Sequence, residues 1–157
     1  MKNTERSVAV ARTSPSEMMV DGIFGGMDWM RLHAVIRTGL AQKGYGAETL
    51  NRFLVRCLLT EEVRPVLRQL IVPERSWKRR LKGALLSNSE LERMLAVGEV
   101  VREARRIYGD NLEAADRFLT RPHPRFAGQP PILAAATEGG AQAVRELLAR
   151  IEEGAPV

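Results

Sequence analysis

The sequence predicts an all-α protein, because apolar residues recur at intervals of three and four along most of the chain, which is the period of a helix face. No segment alternates apolar and polar residues with the period of two that a half-buried strand requires. The clearest stripe lies within residues 48–59 and comprises Leu50, Phe53, Leu54, Cys57 and Leu58. A chain of 157 residues can bury a modest hydrophobic core without disulfides or metal ions.

The first part of the chain carries little periodicity. Residues 1–26 contain serine, threonine, proline and three glycines near their end, with no sustained apolar period. We therefore predict a flexible tail over residues 1–26. A short helix is expected over residues 28–38, where Trp29 and Leu32 share a face and Gly39 provides a stop.

Two short helices with a tight connection are predicted next. The first lies within residues 60–70 and contains Pro65, whose missing amide donor predicts that the regular helix begins there. Pro73 is well placed to open the second helix, which runs to residue 82 and stops at Gly83. Because the second helix is short and strongly basic, the pair is typical of a helix-turn-helix motif.

Capping residues predict the helices of the second half. Ser87 and Glu90 are spaced as a capping box, in which the serine hydroxyl accepts from the third helical amide and the glutamate reaches back. They start the longest predicted helix, which ends at Gly109. Asp110 and Glu113 repeat the spacing and predict the cap of the following helix.

The C-terminal fifty residues end in a proline-rich loop and two further predicted helices. Pro131 is well placed as a first helical residue, and a short helix over residues 132–137 is closed by two glycines. The last predicted helix spans residues 141–153. Its apolar stripe comprises Val144, Leu147, Leu148 and Ile151.

The charge distribution predicts two kinds of partner. The chain carries 24 Lys and Arg against 19 Asp and Glu, a formal net charge of +5. The excess is concentrated in residues 74–82, which hold five basic residues against one acid, whereas residues 150–154 contain Glu152 and Glu153. A basic middle favours a polyanion and a mildly acidic end favours a different partner. The alternative is an ordinary solvated helix face.

The sequence offers no catalytic, metal-binding or cofactor-binding motif. His33 and His123 are its only histidines, and it has no CxxC, HExxH or glycine-rich phosphate loop. We interpret the single cysteine, Cys57, as a small core residue in a reducing compartment. The N-terminus has no apolar signal segment, and no run approaches the roughly 20 apolar residues that span a bilayer. We therefore expect a cytoplasmic binding protein that is not an enzyme.

The basic helix has the pattern of a DNA-reading element. Four of its cations fall at spacings of three and four and therefore share one face. Such a face can donate to phosphates and to guanine edges in the major groove. Ser76 lies near the helix N-terminus, where an anion is favoured. The predicted DNA contacts are Arg75, Ser76, Lys78, Arg79 and Lys82. Trp77 and Leu81 are expected to lie in the core.

Two blocks of the sequence resemble a known family. The first reads IVPERSWKRRLKG and continues as LLSNSELERMLAVGEVV. It is similar to the helix-turn-helix of the Xre-like antitoxins, whose recognition helix typically reads Ile-Pro-x-Arg-Thr-Leu-x-Arg-Arg. The second reads IYGDNLEAADRFL, then TRPHPRFAGQPPILAAATEGG, then AQAVRELLARIEEGAPV. It resembles the toxin-binding domain of the Xre/MbcA/ParS antitoxins, and the resemblance as a whole covers residues 37–157.

Some positions depart from the family pattern. The family usually has a glycine in the turn of the motif, where this chain has Ile71, and Pro65 shortens the first helix of the pair. Because a β-branched residue resists the left-handed conformation that such a turn often needs, these departures predict weaker DNA binding. In the C-terminal part, the family's Leu-Gly-Gly is replaced by Phe126, Ala127 and Gly128.

The resemblance implies three segments and a function. Residues 1–26 are the tail, residues 27–86 an Xre-like helix-turn-helix domain, and residues 87–157 a small helical toxin-binding domain. The implied function is that of a type II antitoxin, a dimer that represses its own operator and occludes the active site of a RES-domain toxin that degrades NAD. The residues expected to cover the toxin's active-site entrance are Arg150, Glu152, Glu153, Gly154, Ala155, Pro156 and Val157.

The expected partners are accordingly the cognate RES-domain toxin, operator DNA and a second copy of the chain, with no membrane and no cofactor. One alternative is a stand-alone helix-turn-helix transcriptional regulator whose C-terminal domain only dimerises. Another is a helical adaptor with neither activity.

Overall fold

The computed structural model describes residues 14–25, 34, 44–57, 59–109 and 111–156. These ranges contain helices, turns and loops but no β-strand, so the prediction of an all-α protein is confirmed. Their helices are α1 (Pro15–Phe24), α2 (Ala47–Arg56), α3 (Val63–Ile71), α4 (Glu74–Leu81), α5 (Asn88–Ile107), α6 (Leu112–Thr120), the 3-10 turn η1 (Pro124–Phe126), α7 (Pro131–Ala135) and α8 (Gly140–Glu152).

Residues 15–24 form helix α1, so the prediction of a flexible tail over residues 1–26 is wrong for this part of the chain. Ser14 and Glu17 form a capping box, in which the Glu17 carboxylate accepts from the Ser14 amide at 2.7 Å. Met19, Val20 and Ile23 are buried, and α1 packs against α2 and α5. One turn of buried residues among polar neighbours is too short to give a recognisable period. The helix predicted over residues 28–38 lies outside the described residues, apart from Ala34.

The helices α1, α2 and α5 meet at a glycine of α5. A Cβ atom at Gly98 would lie 2.5 Å from Ile23 Cγ2 of α1 and 3.2 Å from Phe53 Cε2 of α2. The absence of a side chain therefore lets both helices approach the middle of α5. Gly98 interrupts the apolar stripe of α5 but does not end the helix. Side chains of the neighbouring helices fill the space that a side chain at this position would occupy.

The helix-turn-helix pair differs in detail from its prediction. Helix α3 begins at Val63, so the start predicted at Pro65 is two residues late. Pro65 lies in the first turn, where an amide has no intrahelical partner to lose. Ile71 is the last, fully buried residue of α3, and the turn consists of Val72 with φ −123° and Pro73 with φ −55°. The turn therefore needs no left-handed residue, and Ile71 introduces no strain.

The predicted caps of α5 and α6 have different outcomes. The capping box of Ser87 and Glu90 is present at the start of α5, as predicted. Helix α6 is capped by Asn111, whose side-chain oxygen accepts from the Ala114 amide at 3.0 Å. The predicted cap, Asp110, lies outside the described residues. Because aspartate and asparagine cap equally well, spacing alone did not separate two adjacent candidates.

The hydrophobic core is continuous from α1 to α8. The cluster of buried side chains includes Met19 of α1 and Leu148 of α8. Helix α5 lies at its centre, since it packs against α1, α3, α6, α7 and α8. The helices on either side of the domain boundary predicted between residues 86 and 87 thus share one core. Pro131 is the first residue of α7, as predicted.

Candidate functional site

Helix α4 presents an uncompensated basic face. Arg75, Lys78, Arg79 and Lys82 are exposed, and within the described part of the chain their side chains form no ion pair or hydrogen bond. The acid of this helix, Glu74, is paired with Arg68 of α3. The predicted DNA-contact residue Ser76 lies in the first turn and is half-buried. The structure therefore brings four of the five predicted DNA-contact residues to one short helix and Lys82 to its C-cap, and it leaves the four cations available to a polyanion.

Arg80 has a different role from the cations beside it. Its Nε and Nη2 atoms donate to the two carboxylate oxygens of Glu90 at 3.0 and 3.2 Å. The side chains of Arg80 and Glu90 are only 10% and 4% exposed. Glu90 also accepts from the Ser87 amide at 2.8 Å, so the pair joins α4 to the capped N-terminus of α5. Arg80 orients the basic face without belonging to it.

The contacts of α4 with the core follow the prediction only in part. Trp77 packs against the core, and the Arg68 guanidinium lies 5.2 Å from the centre of its ring. Leu81 is 59% exposed, so its predicted burial is wrong. Leu81 is the last residue of α4, and the side that faces α5 at this point is occupied by Arg80.

The last helix ends in an ordered turn. Gly154 adopts a left-handed conformation with φ 71°, its amide donates to the Ile151 carbonyl at 3.0 Å, and the Ala155 amide donates to the Arg150 carbonyl at 2.9 Å. These two bonds form a Schellman motif, which fixes the direction in which the chain leaves α8. Arg150 is exposed, and in the described ranges its side chain has no polar partner.

Glu152 is held in place by an arginine that the sequence did not single out. Arg106, near the end of α5, donates from Nη1 and Nη2 to the two Glu152 oxygens, each at 2.9 Å. The hydrogen bonds that Arg106 donates to Glu103, and then those to Glu152, raise the pKa of Arg106 above its usual range, and the bonds from Arg106 lower the pKa of Glu152. The predicted toxin-contact residues that the structure describes therefore lie together at one end of α8, anchored to α5: Arg150, Glu152, Glu153, Gly154, Ala155 and Pro156. Val157 lies outside the described residues.

A groove between the end of α5 and α6 was also missed. Its volume is about 370 Å³, and it is lined by Tyr108, Ala114, Arg117, Phe118, Arg121, Pro122 and His123. Its rings contact one another, with centroids 5.9 Å apart for Tyr108 and Phe118 and 6.4 Å apart for Phe118 and His123. We call these seven residues the aromatic groove. The one sequence signal for it was the concentration of aromatic residues between positions 108 and 126 in a chain with only 5% aromatic residues.

The residues considered for catalysis have structural roles. Cys57 is 1% exposed, and burial raises the pKa of its thiol to about 12. It is a core residue, as predicted. His123 lies in the loop after α6, where its Nδ1 atom accepts from the Arg125 amide at 3.2 Å.

Among the described residues, no group of His, Cys, Asp and Glu side chains is arranged to hold a metal ion. Of the helices described, none combines the length and the hydrophobicity that crossing a bilayer requires.

Two comparisons with known proteins concern these surfaces. Residues 103–154 match the family described as the antitoxin Xre/MbcA/ParS C-terminal toxin-binding domain. Over 112 residues the chain is 31% identical to a protein of Pseudomonas putida named antitoxin Xre, and the alignment covers 71% of this chain and 67% of that relative. The matched family region contains the end of α8 and the aromatic groove, and it lies C-terminal to α4.

Proposed function

Because the chain belongs to the Xre/MbcA/ParS family of antitoxins, we propose that it neutralises a RES-domain toxin that degrades NAD and represses the operon that encodes both proteins. The family membership makes it an antitoxin of a toxin–antitoxin system and confirms the resemblance at that level. Beyond family membership, we propose a type II mechanism, a RES-domain toxin as the partner, binding to operator DNA and a dimeric state. The proposal includes a cytoplasmic location, because the operator DNA lies there.

One observation carries the proposal of toxin neutralisation. The region that matches a toxin-binding domain ends at Gly154, the residue that turns the chain at the end of α8. A Schellman turn and the pair of Arg106 with Glu152 order this end before any partner binds. Ordering in advance reduces the entropy that binding must remove. The small residues Gly154 and Ala155 suit a narrow concave entrance, which is the usual shape of a small-molecule site.

The mechanism is therefore occlusion. The end of α8 would block the entrance to the toxin's NAD site, while the exposed Arg150 guanidinium would offer planar, bidentate hydrogen bonds to a carboxylate of the toxin. No bond is made or broken in this step. The extent of inhibition depends only on affinity and on the concentration of the antitoxin.

Deletion of residues 154–157 tests this role. The full chain and the truncated chain are co-expressed with the toxin encoded beside this gene, and growth and complex formation are measured. We expect the truncated chain to lose neutralisation while its thermal unfolding stays that of the full chain, because the deleted residues contribute no buried side chain among those described. A chain lacking residues 2–5 is the matched control and should neutralise fully. Unchanged neutralisation after the C-terminal deletion would show that the tail is passive.

The DNA role is supported by the basic face of α4. The four exposed cations of that face lack partners within the described ranges. The helix follows α3 after a two-residue turn, the arrangement in which a second helix enters the major groove. A stand-alone regulator would need the same face, and the match to a toxin-binding domain is what favours the antitoxin over it.

A further inference from the structure

The aromatic groove contains aromatic and cationic side chains that take no part in the proposed neutralisation by the end of α8. Tyr108, Phe118, Pro122 and His123 form an apolar and aromatic wall, and Arg117 and Arg121 form its rim. Among the residues that the structure describes, none of those lining the groove is acidic. Arg121 is exposed, and its side chain makes no ion pair or hydrogen bond with the residues that the structure describes. Arg117 is paired only with the exposed Glu113 of its own helix, a weak, solvent-screened contact.

Hydrogen bonds and two prolines hold the loop that forms one side of the groove in a fixed conformation. The His123 amide donates to the Gln129 carbonyl, and the Gly128 amide donates to the His123 carbonyl, both at 3.2 Å. The flanking residues Pro122 and Pro124 fix their own backbone φ angles. The groove is thus preformed, so a partner side chain that enters it would not have to order the loop.

The groove and the end of α8 both contact the C-terminal end of α5. Arg106 and Tyr108 are two residues apart at the end of α5, which places them about 200° apart around the helix axis. Arg106 holds the end of α8 through Glu152, and Tyr108 lines the groove. The end of α8 and the groove therefore lie on opposite sides of the last turn of α5, and a partner that contacts both must reach around the end of that helix.

We propose that the aromatic groove is a second docking surface for the toxin, and that it receives an apolar side chain from a segment of the toxin that carries a neighbouring carboxylate. The inference rests on the proposed neutralisation. The groove lies inside the region that matches a toxin-binding domain, and the two arginines of its rim, Arg117 and Arg121, complement an acidic segment. Aromatic and arginine side chains in a preformed pocket are the residues that dominate binding energy at protein interfaces.

Charge reversal at the rim tests the proposal. We compare the full chain with its Arg121→Glu variant, and we use Arg75→Glu on α4 as the matched control with the same change of charge. Affinity for the purified toxin encoded beside this gene is measured by titration calorimetry. We expect Arg121→Glu to weaken binding by about tenfold or more, because it opposes two like charges at the interface. Arg75→Glu should leave toxin binding unchanged.

A second variant pair separates the two docking surfaces. The chain that lacks residues 154–157 should retain measurable toxin affinity through the groove although it no longer neutralises. Adding Arg121→Glu to that truncated chain should abolish the remaining affinity. Thermal unfolding of each variant serves as the check on folding, and Arg121→Gln provides a milder change at the same position.

Each outcome has a distinct meaning. Equal toxin affinity of the full chain and its Arg121→Glu variant would overturn the groove proposal and leave the proposed function standing. A full chain that does not bind the toxin would overturn both. A variant that changes self-association but not toxin affinity would assign the groove to a contact between copies of this chain, and the proposal would be wrong.

Discussion

At the scale of single residues, Ala127 has the least favourable backbone conformation. It adopts φ 53°, the only positive φ outside glycine among the described residues. A left-handed conformation costs an L-residue about 1–2 kcal/mol, and the loop around Ala127 maintains it through hydrogen bonds between residues 123 and 129.

We expect Ala127→Gly to raise the free energy of unfolding by about 0.5–1 kcal/mol. Relief of the left-handed strain exceeds the extra entropy that glycine gives the unfolded chain, which is about 0.4–1 kcal/mol. Urea unfolding at equilibrium measures the difference. The matched control is Ala149→Gly, at an exposed helical position of α8, which should lower stability by about 0.5–1 kcal/mol. A destabilised Ala127→Gly variant would contradict the strain argument.

At the scale of elements, α4 contains two adjacent arginines with opposite roles. Arg79 is exposed and has no side-chain partner in the described ranges, whereas Arg80 forms a buried pair with Glu90. Removing one partner of a buried ion pair leaves the other charge uncompensated, which typically costs about 3–5 kcal/mol. An exposed side chain without contacts contributes about 0.5 kcal/mol or less.

We therefore expect Arg80→Ala to lower the free energy of unfolding by about 3 kcal/mol or more, while Arg79→Ala leaves it unchanged within about 0.5 kcal/mol. Chemical denaturation measures the stability of both variants. Binding to DNA from the upstream region of the operon, measured in a gel shift, should weaken for Arg79→Ala at unchanged stability. Equal stability losses for the two variants would refute the assignment of roles.

The sequence predicted those elements whose signals are local. The capping box of Ser87 and Glu90 lies within four residues, and the stripe of α8 lies within one helix, so both were recognisable. The pair of Arg106 with Glu152 joins residues 46 positions apart, and the pair of Arg80 with Glu90 depends on how two helices meet. Contacts of this kind arise from packing and leave no periodic pattern in the sequence. Helix α1 was missed although its capping box of Ser14 and Glu17 is also a local signal, because its buried face spans little more than one turn.

At the scale of the whole molecule, α5 links the two proposed binding surfaces. It has 20 residues, and its N-terminal turn holds α4 through Glu90 while its C-terminal turn holds the end of α8 through Arg106. Glu90 and Arg106 are 16 positions apart, which corresponds to about 24 Å along the axis at 1.5 Å per residue. The single helix α5 thus separates the proposed DNA-contact cations from the proposed toxin-contact residues.

This separation predicts that DNA binding can be weakened without affecting toxin binding. Lys78→Gln and Lys82→Gln together remove two cations from the basic face and leave the pair of Arg80 with Glu90 intact. For each phosphate that is no longer neutralised, the slope of log affinity against log salt concentration should fall by about 0.9, so the double variant should show a decrease of about 1.8. The slope is measured with upstream operon DNA at several salt concentrations.

Affinity for the toxin is the control measurement on the same double variant. It should equal that of the unmodified chain, because Lys78 lies on α4 and Lys82 at its C-cap, whereas the proposed toxin contacts lie at the far end of α5. A salt slope that does not change would exclude Lys78 and Lys82 as phosphate contacts. A parallel decrease in toxin affinity would mean that the two surfaces are coupled through α5, and that the antitoxin does not bind DNA and toxin independently.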